Sequence, residues 1–254
     1  MGKAKYILLD CDNTLCKSEA LAFQGCAETI NLVLEEQGID KRYTAESLLE
    51  DFVGYNFREM LKKLQPQWGF TLSPEDVEKY VARELEAVVE KLDKAVVECP
   101  GVTTQLEWLK KEGYPMSVVS TSAKPRVIAS LKKCNMLIQG EKGFFKDEHV
   151  YSAATSLPTG PSSKPDPAVY HYACEQLGVK ESECITVEDS KSGATAAMRA
   201  GIPCIGYVGI YGIEDGPEKM EQMAKVLTEQ TKCAAIMYDW GDFPDALKKL
   251  ESKM

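Results

Sequence analysis

Near its start the chain reads Tyr6-Ile7-Leu8-Leu9-Asp10-Cys11-Asp12-Asn13-Thr14-Leu15, a short apolar run closed by two aspartates one residue apart. The apolar run has the length of a buried strand, and the aspartates follow its carboxyl end. Buried carboxylates are costly unless a cation or hydrogen-bond donors meet them. Asp10 and Asp12 are therefore candidates for contact with a metal and an anionic substrate. The alternative is a polar strand end at which Asp and Asn form a turn.

Composition narrows the class of protein. The chain has 254 residues, 44% of them hydrophobic, and a formal net charge of −9. This length suffices for one large domain or for a core with an insert. The acidic balance argues against nucleic acid or an anionic membrane as partners, while a local cationic site for a small anion remains compatible with it. Because no apolar stretch approaches the roughly 20 residues of a membrane span, and the N-terminus leads straight into the first strand, we expect neither a membrane anchor nor a signal peptide.

Nine cysteines are scattered along the chain without CxxC spacing. Their odd number and apolar surroundings argue against a disulfide framework or a zinc site and indicate a reducing compartment, so we expect a cytoplasmic protein. We interpret Cys11, between the two aspartates, as a filler residue that points into the sheet. His149 and His171 are too far apart to indicate a metal pair. Nothing in the pattern specifies an oligomeric state.

The stretch from about residue 16 to residue 95 has helical periodicity and almost no strand signal. Consecutive helices without strands indicate a helical unit inserted into another domain. Four helices are expected: one that stops at Gly38, one over 45–52, one over 57–64 that ends near Pro66, and one over 77–92 that follows a Ser73 cap.

After Cys99-Pro100-Gly101, strand and helix signals alternate. This alternation predicts a doubly wound parallel sheet. The expected fold is therefore α/β, with a Rossmann-like core formed by residues 1–15 and 97–254 and a small all-helical domain at residues 16–96. Strands are predicted over 116–120, 149–152, 184–187, 203–207 and 234–237, and helices over 102–111, 125–134, 167–177, 190–200, 217–228 and 243–250.

Polar side chains follow the predicted strands where these end, and such ends share one edge of an open parallel sheet. Carboxylates there suit a hard cation, for which we expect magnesium, and hydroxyls, helix N-termini and a lysine suit a phosphate. Each group by itself also has a structural explanation: the hydroxyls could form a capping turn, the lysine could be solvated, and the paired acids could begin a helix. Their joint occurrence in order favours a site. The groups are Asp10 with Asp12, Ser120-Thr121-Ser122, Lys164 within Ser162-Ser163-Lys164-Pro165-Asp166-Pro167, and Glu188-Asp189.

The chain resembles the haloacid dehalogenase-like hydrolases, whose four motifs are matched in order by Asp10-x-Asp12-x-Thr14, Ser120, Lys164-Pro165 and Glu188-Asp189. The helical insert and the continuation Ser190-x-x-Gly193 resemble the branch with a small helical cap domain. That branch includes phosphoglycolate, polyol-phosphate and sugar-phosphate phosphatases and β-phosphoglucomutase. Asn13 stands where glycine is commoner in the family, and Asn is the residue that best tolerates a left-handed backbone after Gly.

The resemblance implies a phosphoric monoester hydrolase, namely a magnesium-dependent phosphatase that acts on a small phosphorylated metabolite through an aspartyl-phosphate. It implies Asp10 as the nucleophile and Asp12 as the general acid and base. The implied metal site comprises Asp10, the backbone carbonyl of Asp12, Asp189 and Glu188, the last as a ligand or as the partner of a ligand. The implied phosphate-binding residues are Asn13, Ser120, Thr121 and Lys164, of which Ser120 and Lys164 also count as catalytic.

Two alternatives to a phosphatase stay open. The first is a mutase like β-phosphoglucomutase, but that branch carries a histidine soon after the first motif, and residues 15–30 contain none. The second is a catalytically silent sugar-phosphate-binding regulator, against which the presence of every required acid argues. Dehalogenases and phosphonoacetaldehyde hydrolases of the family lack the second acid, which is Asp12 here.

The leaving group is expected to be selected by the helical cap domain. The candidate stretch is Gly54-Tyr55-Asn56-Phe57-Arg58, with Tyr55, Asn56 and Arg58 as its polar side chains, and Lys124 is a further candidate after the second motif. For Arg58 the alternative is a surface arginine paired with Glu59 or with a neighbour on its own helix.

Overall fold

The computed structural model describes residues 2–52 and 55–254. Contacts between residues divide the chain into two compact units. One comprises the residues up to Lys17 together with Val97–Met254, and the other comprises Ser18–Val96. Within the described ranges, no helix combines the length and apolar character needed to cross a membrane.

The first unit is built on a parallel sheet of six strands, counted over the described residues. Their spatial order is β3-β2-β1-β4-β5-β6, so the direction of the chain across the sheet reverses beside β1. This is the order of a doubly wound Rossmann-like sheet, and the predicted fold class is confirmed. The strands are β1 Tyr6–Leu9, β2 Met116–Ser120, β3 Val150–Ser152, β4 Cys184–Glu188, β5 Cys204–Tyr207 and β6 Ala235–Met237.

The register of the central strands brings their carboxyl ends to one edge. Leu9, the last residue of β1, pairs with Val118 of β2 on one side and with Val187 of β4 on the other. The amide of Asp10 then donates to the carbonyl of Val187 at 3.1 Å. Residues that follow β1, β2 and β4 therefore emerge side by side at the point where the strand order reverses, where open α/β sheets bind ligands.

The second unit is helical, as its periodicity predicts. Ser73 caps the last helix, since its Oγ accepts from the Asp76 amide at 3.1 Å. The third helix, expected to end near Pro66, continues two residues past it to Trp68 and is followed by Gly69, whose φ of 71° is left-handed. The missing amide of a proline costs one helical hydrogen bond, which a last turn tolerates. The helices are α1 Glu19–Glu36, α2 Ala45–Phe52, α3 Phe57–Trp68 and α4 Pro74–Ala95.

Helices α1 and α4 pack closely because α1 carries Gly25 at the contact. A methyl group at Gly25 would lie 2.6 Å from Val88 Cγ2 and 2.9 Å from the Val88 backbone nitrogen. Beside this contact, the buried Cys26 thiol donates to Glu84 Oε1 at 3.0 Å. The absence of a side chain at Gly25 thus sets the spacing of the two longest helices in this unit.

Helices cover the sheet of the first unit at the predicted positions, with one addition. The added helix spans Gly209–Glu214, and its six residues include two glycines, a composition that gives no helical signal. The helices of this unit are α5 Val102–Lys111, α6 Lys124–Lys133, α7 Ala168–Leu177, α8 Lys191–Ala200, α9 Gly209–Glu214, α10 Pro217–Lys225 and α11 Phe243–Glu251.

Candidate active site

Three carboxylates meet at the carboxyl ends of β1 and β4. Asp10, Glu188 and Asp189 each offer an oxygen that lies within 4.8 Å of the oxygens offered by the other two. All three residues are buried, with exposed fractions of 7%, 0% and 5%. The parallel pairing of β1 with β4 explains the cluster, because it aligns the residues that follow the two strands.

A buried lysine lies against this cluster. Lys164 Nζ donates to Asp10 Oδ1, to Glu188 Oε1 and to the backbone carbonyl of Val119, each at 2.7 Å. All three hydrogens of the ammonium are thereby used, two of them on carboxylates. Lys164 is expected from the sequence at a phosphate, and in the structure its ammonium lies against the strand-end acids. The alternative of a solvated lysine is wrong, because Lys164 is buried.

Burial and charge act against each other in these groups. Burial, aided by the charge of Glu188 and opposed by the Lys164 ammonium, raises the pKa of Asp10 to about 7. Burial also disfavours the ammonium form of Lys164, yet the carboxylates of Asp10 and Glu188 hold the pKa of Lys164 well above its usual value. The lysine therefore stays charged, and one positive charge faces three buried acids.

Glu188 has further partners on its own side of the sheet. The hydroxyl of Tyr170 on α7 donates to Glu188 Oε1 and lies 3.1 Å from Thr186 Oγ1. Burial, together with the charge of Glu188, raises the pKa of Tyr170 well above its usual value and keeps the phenol as a donor. Oxygen Oε1 therefore has two donors, whereas the buried Oε2 has no hydrogen-bond partner among the described residues.

Helix α8 begins directly after the acids and comes close to Glu188. Ser190 caps the helix, since its Oγ accepts from the Gly193 amide at 3.1 Å. A methyl group at Gly193 would lie 1.8 Å from Glu188 Oε2 and 2.2 Å from its Cδ. The chain therefore needs glycine at residue 193 to leave room for the carboxylate of Glu188.

Asp12 faces the hydroxyl groups of Ser120 and Ser122. Its Oδ2 accepts from Ser122 Oγ at 2.7 Å and from Ser120 Oγ at 3.3 Å. The next residue, Asn13, has a φ of 58°, which is the left-handed conformation that asparagine tolerates best after glycine. Asp12 is half-buried and so is more open to solvent than Asp10.

The loops after β2 and β3 meet beside the acids. The amide of Lys164 donates to Thr121 Oγ1 at 3.4 Å, and Ser152 Oγ donates to the carbonyl of Ser122 at 2.7 Å. Ser120 is fully buried, and its Oγ accepts from the Ser122 amide at 3.0 Å. Ser120, Thr121, Lys164 and Asp12 are thus brought into one hydrogen-bonded neighbourhood.

Several contacts at the site are absent from the sequence-based prediction. Tyr170 supports Glu188, and Ser122 supports Asp12. Tyr211 on α9 donates to Asp189 Oδ2 at 3.2 Å, and Trp240 Nε1 donates to the carbonyl of Thr14 at 3.2 Å. These side chains come from distant parts of the chain, so no local spacing connects them to the acids. Ser122 is the exception, because it belongs to the Ser120-Thr121-Ser122 group that the sequence places at the end of a strand.

The four candidates for substrate contact have other partners in the structure. Asn56 caps α3, since its side chain accepts from the Glu59 amide at 3.0 Å. Arg58 forms an ion pair with Glu78 on α4. Tyr55 lies under Lys63, whose Nζ is 3.8 Å from the ring centroid. Lys124 Nζ lies 2.7 Å from a carboxylate oxygen of Asp147. Gly54, predicted to begin this stretch, lies outside the described residues.

Comparison with known proteins defines the class. The family model described as haloacid dehalogenase-like hydrolase matches residues 7–207. A phosphorylated carbohydrates phosphatase from Thermotoga maritima is 30% identical over 231 residues, which are 91% of this chain and 97% of that protein. The chain belongs to the haloacid dehalogenase-like hydrolases. The predicted family and the predicted enzyme class, phosphoric monoester hydrolase, are confirmed.

Two further similarities agree with this assignment. A 6-phosphogluconate phosphatase from Escherichia coli is 26% identical over 206 residues, which are 80% of this chain and 81% of that protein. A solved HAD hydrolase from Entamoeba histolytica superposes with a TM-score of 0.74 at 20% identity and covers 97% of this chain and 99% of that one. The two chains share the fold.

Proposed function

We propose that this chain is a magnesium-dependent phosphatase that hydrolyses a small sugar or polyol phosphate through an aspartyl-phosphate. The observation that carries the proposal is the position of Asp10. It belongs to the buried carboxylate cluster and is bonded to Lys164, while Asp12, two residues on, lies outside the cluster against two hydroxyls. Two acids in such different surroundings are suited to different roles, one as nucleophile and one as proton carrier.

The donor set of the cluster fits magnesium. Among the described residues, three buried acids face one ammonium, and Glu188 Oε2 has no hydrogen-bond donor. A further positive charge is therefore needed to offset the buried negative charge. Oxygen ligands are those that magnesium prefers. Asp10, Asp189 and Glu188 would hold the ion, with the backbone carbonyl of Asp12 as the predicted fourth protein ligand. When bound, magnesium screens Asp10 from the phosphate dianion and polarises a phosphoryl oxygen.

In the first half of the proposed reaction, a carboxylate oxygen of Asp10 attacks phosphorus. A bond forms between Asp10 and phosphorus, the bond from phosphorus to the ester oxygen breaks, and Asp12 gives its proton to the leaving alkoxide. The product is a free alcohol and an aspartyl-phosphate at residue 10. Ser122 Oγ, 2.7 Å from Asp12 Oδ2, orients the carboxyl group of Asp12 for this transfer.

In the second half, water attacks the phosphorus of the aspartyl-phosphate. The carboxylate of Asp12 takes a proton from the water, the bond between Asp10 and phosphorus breaks, and inorganic phosphate leaves. Ser120, Thr121 and Asn13 are proposed to hold the phosphoryl oxygens during both halves. Lys164 is proposed to join them by exchanging one of its three hydrogen bonds for a phosphoryl oxygen. The contact of Ser120 Oγ with Asp12 is 3.3 Å long, so a phosphate oxygen can replace it at small cost.

The helical unit is proposed to act as the cap domain that selects the leaving group. The names of the Thermotoga and Escherichia relatives support a phosphorylated carbohydrate as the substrate class. Tyr55, Arg58 and Lys124 remain proposed contacts for the hydroxyl or carboxylate groups of such a substrate. Asn56 is the weakest of the four candidates, because its side chain already caps a helix.

The deciding experiment measures release of inorganic phosphate from p-nitrophenyl phosphate, with magnesium and with a chelator, followed by a panel of sugar and polyol phosphates. The Asp10→Asn variant is expected to lose both turnover and phosphoenzyme, while Asp245→Asn, a change at an exposed acid, retains both. Ordinary turnover by Asp10→Asn would refute the assignment of Asp10 as the nucleophile. Interconversion of two sugar phosphates without phosphate release would identify a mutase instead.

A further inference from the structure

Two cysteines meet beside the candidate active site although they are far apart in the chain. The thiol of Cys16 donates to the Sγ of Cys134 at 3.7 Å. Cys16 is fully buried and follows the turn that carries Asp12, while Cys134 is half-buried at the end of α6. Two sulfur atoms at this separation are in contact, and a covalent bond needs them to approach to about 2.05 Å.

Cys134 is the member of the pair that solvent reaches. It lines an open groove of about 650 Å³ together with Lys110, Lys142 and Phe144. The hydrogen bond from Cys16 lowers the pKa of the Cys134 thiol, against the effect of its partial burial. A thiol that is accessible and more acidic than usual is the one that oxidants attack first.

We propose that Cys134 and Cys16 form an oxidation-sensitive pair that closes a disulfide in the presence of a hydroperoxide. The thiolate of Cys134 attacks one oxygen of hydrogen peroxide, the oxygen–oxygen bond breaks, and Cys134 becomes a sulfenic acid while hydroxide leaves and is protonated to water. The sulfur of Cys16 then attacks the Cys134 sulfur and releases a second water. In sum two thiols lose two hydrogens to one peroxide, which is reduced to two waters, and a dithiol reductant reverses the change.

The backbone of Cys16 connects this pair to the turn that carries Asp12 and Asn13. Its carbonyl accepts from the Asn13 amide at 2.7 Å, and its amide donates to the carbonyl of Cys11 at 3.0 Å. A shift of Cys16 toward Cys134 therefore strains the hydrogen bonds that close the turn around Asp12 and Asn13. We infer that the disulfide lowers turnover by misplacing Asp12, a consequence that rests on the proposed function, whereas the disulfide itself does not.

Two other cysteine pairs provide an internal comparison. Cys174 and Cys184 have their sulfurs 3.9 Å apart, and Cys204 and Cys233 have theirs 3.5 Å apart. All four of these residues are buried, so a dissolved oxidant does not reach them in the folded protein. The Cys16 thiol also shares a hydrogen bond with the thiol of Cys11, which is fully buried. Contact between sulfur atoms is thus found in several pairs of the described residues, and the accessible partner distinguishes Cys16 with Cys134.

The test treats the reduced protein with hydrogen peroxide, alkylates the remaining thiols and maps disulfides by mass spectrometry. The peptides of Cys16 and Cys134 are expected to appear linked, at a mass about 2 Da below the sum of the two thiol peptides. In Cys16→Ser, the same treatment is expected to leave Cys134 as a sulfenic acid that dimedone traps. A linkage of Cys16 to Cys11, a linkage of Cys174 to Cys184, or no linkage at all would overturn the proposal.

Turnover is measured on the same samples. Peroxide is expected to remove most of the activity toward p-nitrophenyl phosphate, and dithiothreitol to restore it. Cys134→Ser is expected to keep its activity after peroxide, whereas Cys174→Ser is expected to lose it as the parent protein does. Equal inactivation of Cys134→Ser would refute the regulatory role. If the reduced parent protein released no phosphate, the proposed function would fail, yet the disulfide map would still decide the chemistry of the pair.

Discussion

Tyr170 donates its phenolic hydrogen to Glu188, at the same carboxylate oxygen that accepts from the Lys164 ammonium. Two donors on Oε1 hold the carboxylate in one orientation, and the buried Oε2 accepts no hydrogen bond from any residue that the structure describes. The carboxylate of Glu188, held in this orientation, can offer its Oε2 to a cation. Tyr170 is thus a positioning residue for the proposed metal site, although it lies on a helix and not at a strand end.

Replacement of Tyr170 by phenylalanine keeps the packing and removes one donor. Loss of a partner that orients a metal ligand costs about 10–100-fold in metal affinity or activity. We therefore expect Tyr170→Phe to raise the magnesium concentration needed for half-maximal turnover by a factor in that range. The matched control is Tyr172→Phe on the same helix, whose ring packs against Tyr151 and not against the acids. An unchanged magnesium requirement in Tyr170→Phe would contradict this role.

The second prediction concerns the room that Gly193 leaves for Glu188. In Gly193→Ala the added methyl group would overlap the carboxylate, at 1.8 Å from Oε2, so either Glu188 or helix α8 must move. A displacement of about 1 Å at a catalytic centre can cost about 100-fold in rate. We expect a loss of this size in kcat for Gly193→Ala. The control is Ser192→Ala, a change at the preceding exposed residue, whose kcat should stay close to that of the parent protein.

A double variant separates crowding of Glu188 from a general effect on the helix. Glu188→Asp shortens the side chain and makes room for the methyl group. If crowding is the cause, Gly193→Ala costs much less activity in the Glu188→Asp background than in the parent, because the two changes share one space. Additive losses in the double variant would count against direct overlap.

Much of this arrangement follows from the sequence because the sheet is parallel. Strands that run in the same direction deliver their following residues to one edge, so the order of Asp10, Ser120, Lys164 and Glu188 along the chain already predicts a common site. The order of these residues along the chain does not predict which hydrogen-bond partner each side chain has. Lys164 is expected at a phosphate, and in the structure all three of its hydrogens are directed at Asp10, Glu188 and Val119.

Other contacts escape prediction for a similar reason. Tyr170 lies at helical spacing among apolar residues, which is the pattern of a core aromatic residue. Its hydroxyl can donate to Glu188 only when α7 packs beside β4. Cys16 and Cys134 are separated by 118 residues, so no spacing rule connects them. Arg58 has its ion pair with Glu78 on another helix, a contact that depends on how α3 and α4 pack.

The third prediction concerns the charge of Lys164. Removing one partner of a buried ion pair costs about 3–5 kcal/mol, because the remaining charges lose their compensation. We expect Lys164→Met to lower the free energy of unfolding by about this amount in the presence of a chelator, as measured by urea denaturation. Magnesium should stabilise the variant more than the parent, because it supplies the missing positive charge. Lys249→Met, at an exposed position on α11, serves as the control.

The last prediction tests the helical unit by itself. Alanine in place of Gly25 favours the helix by about 1 kcal/mol, but its methyl group would lie 2.6 Å from Val88 Cγ2 and 2.9 Å from the Val88 backbone nitrogen. Overpacking of this kind costs about 1–3 kcal/mol, and a backbone atom yields less easily than a side chain. We therefore expect the free energy of unfolding to fall in Gly25→Ala. The change Val88→Ala should restore only part of the loss, because the contact with the backbone nitrogen persists. Ala20→Gly, at an exposed position of the same helix, measures the propensity effect alone, and a stabilised Gly25→Ala would show that α1 and α4 can separate without cost.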